Sequence, residues 1–185
     1  MSTTKKILLI LILAILASSC KPKGNFAVIE TDYGKIRIKF DRNVAPNHVA
    51  HFIELTRAGF YDGLAFHRAE PGLLIQGGDP QSRNNDPSMW GKGDPKQETV
   101  DAEFSAKPFV RGTVGMARTF DINSATSQFF ICLRDFPSLN GKYTVFGEVV
   151  EGIEVVDRIS RMPVADPQLG TLREKVVMQR VSIEN

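Results

Sequence analysis

The sequence predicts one mainly β domain, a barrel of seven or eight short strands with two helices. Three observations carry this reading. Residues 35–40, Lys-Ile-Arg-Ile-Lys-Phe, alternate strictly between polar and apolar, the period of a half-buried strand. Further short apolar runs recur between Gly- and Pro-rich turn signals, and only two stretches keep helical spacing. No repeat or shift in composition divides residues 26–185.

The elements follow in chain order. Lys5 and Lys6 precede an apolar run at 7–17, ILLILILAILA. As a helix it spans about 16 Å, too short for a bilayer core of about 30 Å, and reads as a secretory segment. It ends in Ala17-Ser18-Ser19-Cys20, which resembles the lipobox of bacterial lipoproteins. That resemblance implies a signal peptide at 1–19, a lipid on Cys20 and a short tether at 20–25. The protein would then be held on a membrane of the bacterial cell envelope, facing the periplasm if the host is Gram-negative. Ala17 stands where Leu is usual, and an ordinary signal peptide with an incidental Cys20 is the alternative. Under the enterobacterial sorting rule, Lys21 after Cys20 favours the outer membrane.

Two strands are expected at 26–31 and 35–40 around Asp32-Tyr33-Gly34. Pro46 opens a helix with Val49, Phe52, Ile53 and Thr56 on one face, and Gly59 stops it. Strands at 64–68 and 73–77 flank the turn Glu70-Pro71-Gly72. Residues 79–102, rich in Gly, Pro, Asn and Asp and carrying the single Trp90, read as a long surface loop. Strands at 112–117, 127–133 and 143–150 come next. A helix at 152–160 aligns Ile153, Val156 and Ile159, and a last strand covers 175–183.

Composition limits the function. At 185 residues and 42% hydrophobic, the chain can bury a core without disulfides. Its 23 basic and 21 acidic residues become balanced once Lys5 and Lys6 are removed with the leader. A neutral domain argues against bulk attraction to nucleic acid or anionic lipid. Cys132, inside Phe-Phe-Ile-Cys-Leu, reads as a small buried hydrophobe rather than a nucleophile. His48 and His51 share a helical spacing, but no third ligand stands near them in sequence, so a solvated or capping role is expected. Gly91-Lys92-Gly93 lacks the context of a phosphate loop, and no serine-hydrolase elbow occurs. Neither a metal nor a cofactor is implied.

The most distinctive stretch is Phe66-His67-Arg68 followed by Pro71-Gly72-Leu73-Leu74-Ile75-Gln76-Gly77-Gly78-Asp79. Three more blocks accompany it: Gly112-Thr113-Val114-Gly115-Met116-Ala117-Arg118, Ser124-Ala125-Thr126-Ser127-Gln128-Phe129-Phe130-Ile131, and Leu139-Asn140-Gly141-Lys142-Tyr143-Thr144-Val145-Phe146-Gly147. Together, in this order, they resemble the signature of cyclophilins, the peptidyl-prolyl cis–trans isomerases, over about residues 26–185. The resemblance implies a closed eight-stranded antiparallel β-barrel capped by two α-helices, with the substrate groove outside it and a packed interior.

Rotation about an X–Pro bond is resisted by roughly 18–20 kcal/mol of amide conjugation. Catalysis needs no nucleophile, only tighter binding of the twisted state than of either planar one. An apolar pocket with one fixed cationic fork suffices, and Arg stays charged while presenting planar donors. By resemblance, Arg68 is that group and Gln76 positions it. Phe130, Leu74 and Leu139 would floor the proline pocket with Leu73 beside them. His67 would line the rim, Ala117, Arg118 and Gln128 would meet residues before the proline, and Tyr143 would stand at the far edge. The implied partners are Pro-containing polypeptides, met by a monomer.

Three departures from the family pattern stand out. Leu73 replaces a frequent Phe, Tyr143 a frequent His, and Ser138 a Trp that contributes to cyclosporin binding in eukaryotic members. Weak cyclosporin binding is therefore expected. A different class also stays open, a non-catalytic barrel that captures Pro-containing segments as a chaperone or assembly module. The loop at 80–102 leaves room for it.

Overall fold

The computed structural model describes residues 23–185. The signal segment, Cys20 and the first part of the tether lie outside the described residues. Ten strands form one antiparallel ladder among these residues: β1 (Phe26–Thr31), β2 (Gly34–Phe40), β3 (Ala65–Glu70), β4 (Leu74–Gly77), β5 (Thr113–Met116), β6 (Phe129–Cys132), β7 (Val145–Glu151), β8 (Val164–Asp166), β9 (Thr171–Val177) and β10 (Arg180–Glu184). The two helices are α1 (Pro46–Arg57) and α2 (Ile153–Ser160). None of the described helices is long and apolar enough to cross a membrane.

The expected closed eight-stranded barrel is corrected in two ways. The ladder has ten strands in the order β10-β1-β2-β7-β5-β6-β4-β3-β9-β8, and no pairing joins its edges β10 and β8. The single terminal strand expected at 175–183 is divided between β9 and β10 by a change of partner. Up to Val177 the chain pairs with β3, and from Arg180 it pairs with β1. At the crossing, Met178 N donates to Leu64 O at 2.8 Å and Gln179 N donates to Glu30 O at 2.8 Å. Pattern reading within one segment does not reveal a change of partner between segments.

Helix α1 buries the predicted face, Val49, Phe52, Ile53 and Thr56. Pro46 occupies its first turn, where a missing N–H costs nothing. Beyond its end Gly59 has φ +68°, a left-handed conformation that favours glycine. The helix N-terminus has no local side-chain cap; the Glu103 carboxylate accepts from Asn47 N at 3.0 Å and His48 N at 2.9 Å instead. His48 Nδ1 also meets Glu103, at 2.7 Å. His48 is thus buried within a capping arrangement, not solvated.

The apolar interior gathers around Phe129, whose ring centroid lies 5.6 Å from Phe52, 6.0 Å from Tyr61 and 5.9 Å from Phe66. Ile29, Ile36, Ile38, Ile75 and Ile131 fill the space around these rings. A second, smaller apolar cluster lies on the other face of the sheet: Phe109, Phe130, Cys132 and Val145, with Leu139, Tyr143, Phe136 and Ala117 packed against it. Burial pushes the Cys132 thiol up to about 12, so it stays protonated and inert at neutral pH.

Candidate functional site

Strand β6 sends alternate side chains to the two clusters. Phe129 and Ile131 enter the interior, while Phe130 and Cys132 face the outer cluster. Strand β4 beside it does the same, with Ile75 inside and Leu74 and Gln76 on the outer cleft. Gly115 on β5 makes room for this outer floor. A Cβ there would lie 2.6 Å from Phe109 Cε1 and 2.7 Å from Phe130 Cζ. With only hydrogen at that point, the Phe109 and Phe130 rings stack at 5.6 Å.

Arg68 reaches the same face through a β-bulge. Phe66 pairs with Gly77 but Arg68 pairs with Gln76, and the register against β9 shifts at the same point. Phe66 and Ala69 both belong to the interior cluster although they are an odd number of residues apart. One extra residue, His67, therefore restores the phase and turns Arg68 outward. Simple alternation from Phe66 would have pointed Arg68 into the core.

The Arg68 guanidinium is held from three sides. Its Nε donates to Leu169 O at 2.8 Å, its Nη1 donates to Gln76 Oε1 at 3.3 Å, and its Nη2 is paired with Glu70. Arginine has five N–H donors, so two remain for a ligand. Gln76 Nε2 donates onward to Gln128 Oε1 at 2.9 Å, and Gln128 Nε2 to Gly91 O at 3.3 Å. Gly91 N then donates to the buried Asp79 carboxylate at 2.5 Å. This carboxylate also accepts from Gln81 N and Gly93 N, each at 3.1 Å. The relay connects the cleft arginine to a fixed point beneath the 80–102 loop.

That loop is more structured than its composition predicts. It holds two 3₁₀ turns, Pro80–Arg83 and Pro87–Met89. Lys175 Nζ donates to Ser82 O, Arg83 O and Asn84 O at 2.7, 3.0 and 2.8 Å and lies 5.7 Å from the Trp90 ring centroid. Trp90 Nε1 in turn donates to Asn84 O at 2.9 Å.

Arg68, Leu74, Gln76, Ala117, Arg118, Phe130, Leu139 and Tyr143 line one cleft of about 260 Å³. Gln128 lines an adjoining pocket of about 500 Å³ that shares Gln76, Ala117 and Arg118 with the cleft. Arg118 also ties the rim together: Nε and Nη2 donate to Lys142 O at 3.1 and 2.9 Å, Nη1 donates to Thr119 O at 2.8 Å, and the guanidinium lies 4.5 Å from the Tyr143 ring centroid. Two expected residues stand elsewhere. Leu73 is half-buried at the turn before β4, where its carbonyl accepts from Leu133 N at 2.7 Å, and it does not line the cleft. His67, as the bulged residue, is 3% exposed and does not line the cleft. Burial lowers its pKa, partly opposed by the nearby Asp79 carboxylate.

Glu70 was not anticipated. It sits two residues from Arg68, on the same strand face and with opposite charge, a local signal that was available. Asp79 was visible as the last residue of the Gln-Gly-Gly-Asp block, but two of its three partners, Gly91 N and Gly93 N, come from more than ten residues on. No group of three or more His, Cys, Asp or Glu side chains that could hold a metal ion occurs among the described residues.

Comparison with known proteins agrees with this geometry. The family profile described as "Cyclophilin type peptidyl-prolyl cis-trans isomerase/CLD" matches residues 26–185. A probable peptidyl-prolyl cis-trans isomerase of Brucella abortus is 43% identical over 152 residues, covering 80% of this chain and 78% of the relative. A peptidyl-prolyl cis-trans isomerase of Synechococcus elongatus is 42% identical over 132 residues, covering 70% of this chain and 85% of the relative. A crystal structure of a Cryptosporidium parvum cyclophilin type peptidyl-prolyl cis-trans isomerase superposes with a TM-score of 0.76 at 26% identity, covering 88% of this chain and 99% of that one.

Proposed function

This chain belongs to the cyclophilin-type peptidyl-prolyl cis-trans isomerase family, and from that premise we propose that it isomerises X–Pro bonds in the cleft beside Arg68. The observation that carries the reading is the outward-turned guanidinium, with two donors unused, beside an apolar floor of Phe130, Leu74 and Leu139.

The chemistry follows from this placement. A proline ring seats on the apolar floor, where its burial holds the residue in place. The free donors of Arg68 take the prolyl carbonyl. As the amide twists, its nitrogen becomes pyramidal and regains a lone pair that a nearby cation stabilises. The planar forms offer no such charge, so the interaction lowers the barrier instead of merely tightening binding. Gln76, Glu70 and the Leu169 carbonyl hold the guanidinium in advance, which limits reorganisation during the step. Ala117, Arg118 and Gln128 meet the residues before the proline, and Tyr143 closes the far edge. No covalent intermediate forms.

Isomerisation of an Xaa-Pro tetrapeptide, followed by exchange NMR with the protein and its Arg68→Ala variant, tests this. The expected loss is tenfold or more, about 1.4 kcal/mol of transition-state stabilisation. A folded parent that left exchange at its uncatalysed rate would move the assignment to a non-catalytic module for Pro-containing segments.

Two further parts of the reading concern setting and ligand. The protein acts as a monomer on exported polypeptides, held to the bacterial envelope through lipid on Cys20. Detergent-phase partition lost in a Cys20→Ala variant would support the anchor, and unchanged partition would remove it. Cyclosporin binds weakly, because Ser138 is an exposed residue of a short 3₁₀ turn where an aromatic wall is missing. A nanomolar affinity by calorimetry would refute this.

A further inference from the structure

Three large apolar side chains are exposed on loops that border the cleft: Phe120 at 104%, Ile122 at 49% and Leu169 at 63%. The loops are not loose. In the first, Thr119 N donates to Ser124 Oγ at 2.9 Å, Ser124 Oγ donates to Asp121 O at 2.6 Å, and Asn123 N donates to Asp121 Oδ1 at 2.9 Å. In the second, Asp166 Oδ1 accepts from Gln168 N at 2.8 Å and Leu169 N at 3.2 Å. Each loop is also bonded to a cleft arginine through a backbone carbonyl. Arg118 Nη1 donates to Thr119 O, next to Phe120, at 2.8 Å, and Arg68 Nε donates to Leu169 O at 2.8 Å.

These two arginines stand on opposite flanks of the floor. Arg118 follows β5 and Arg68 lies on β3, with β6 and β4 between them in the ladder. Three strand spacings come to about 14 Å, the length of about four extended residues. Thr119 and Ser124 also line the pocket that adjoins the cleft, so the surface below Phe120 is continuous with the site. Fully exposed aromatic surface on an ordered loop is costly to hydrate and gains when covered.

We propose that Phe120 with Ile122 on one flank, and Leu169 on the other, are apolar contact points for the client polypeptide. The preferred substrate is then an extended, unfolded segment with apolar side chains on both sides of its proline. The inference rests on the cleft being the isomerase site. A tetrapeptide only just spans the two arginine strands and leaves no residue to lie on the loops beyond them, so the preference appears only in longer chains.

The test uses the full chain and two nine-residue peptides with a central proline, one with Leu at the flanking positions and one with Ser. Exchange NMR gives kcat and KM, and amide shifts give binding independently of turnover. The expected result is a preference of fivefold or more for the Leu peptide, carried by KM because contact remote from the reacting bond is uniform binding. In a Phe120→Ser, Ile122→Ser, Leu169→Ser variant the preference, read as the ratio of the two peptides' KM values within that variant, should fall to near one. Substitution of exposed side chains leaves the fold intact, which circular dichroism would confirm. Equal affinity for the two peptides in the parent overturns the proposal, as does a preference that survives all three substitutions. If the substitutions instead abolish sedimentation with phosphatidylglycerol vesicles, or dissociate a dimer, and leave peptide preference unchanged, the proposal is also overturned. Failure to turn over any peptide while the shifts still show the Leu preference would overturn the isomerase assignment and leave this binding surface standing.

Discussion

Phe129 and Phe130 are chain neighbours of identical chemistry on β6, and the sheet assigns them to different tasks. Phe129 is fully buried at the centre of the interior ring cluster. Phe130, 5% exposed, floors the cleft, with Phe109 stacked on one side and the edge of Tyr143 on the other, 5.8 Å away. The interior face is apolar on every side, whereas the outer face places a small apolar floor beside a polar relay from Arg68 to Asp79. One face secures the fold and the other holds a charged group ready for work. The same strand serves both because side chains alternate across a pleat.

Substitutions should separate the two faces. The largest effect is expected for Phe129→Ala, which should lower stability by about 3–5 kcal/mol and Tm by about 10 °C. Phe130→Leu keeps an apolar floor and should cost less than about 1.5 kcal/mol of stability. Calorimetric melts of the two variants check the contrast, and equal losses would mean that the outer face is as structural as the inner one.

Next comes Asp79→Ala. It leaves three loop N–H groups without their acceptor and should destabilise by about 2–3 kcal/mol. Limited proteolysis should show faster cutting in residues 84–97, and a cutting pattern like that of the parent would mean that the relay does not end in a fixed point.

A smaller effect is expected for Gln76→Leu. It removes the link between Arg68 and Gln128 at a partly exposed position, so stability should change by less than about 1 kcal/mol. The rate should fall about three- to tenfold in kcat with KM nearly unchanged, the pattern of a positioning residue. A change confined to KM would assign Gln76 to substrate binding instead.

The smallest effect concerns acid. Burial lowers the pKa values of both His48 and His67, so the unfolded chain binds protons at a higher pH than the folded one. Their contribution is complete above the unfolded value of about 6.5 and is lost as pH falls through that value towards the lower folded one. Denaturant melts at pH 7.5 and pH 5 should therefore show a loss, and His67→Gln should reduce it. An identical loss in that variant would leave His48 and the carboxylates as its source.

The sequence by itself determined much of this protein. Strict alternation in residues 35–40 located β2. Pro46 and Gly59 bracketed α1, and the apolar spacing between them named its buried face. The ordered blocks from Phe66 to Gly147 gave the family and eight of the residues that line the cleft. These are local or pairwise signals, because period, turn chemistry and motif order all lie within a short stretch of chain. Tertiary structure decided the rest. His67 appeared as a rim residue, and only the register against β4 and β9 shows it as the bulge that turns Arg68 outward. Leu73 was expected beside the floor that Leu74 helps to form, and the turn before β4 directs it elsewhere. Ten strands in an unclosed ladder replaced the closed eight-stranded barrel, because the chain changes partner at Met178 and Gln179 and a further short strand, β8, pairs with β9. Glu103 caps a helix more than forty residues before it, and Asp79 secures a loop that composition alone left featureless. Each of these depends on which distant backbone donates to which acceptor, a choice made when the sheet assembles and absent from any single segment.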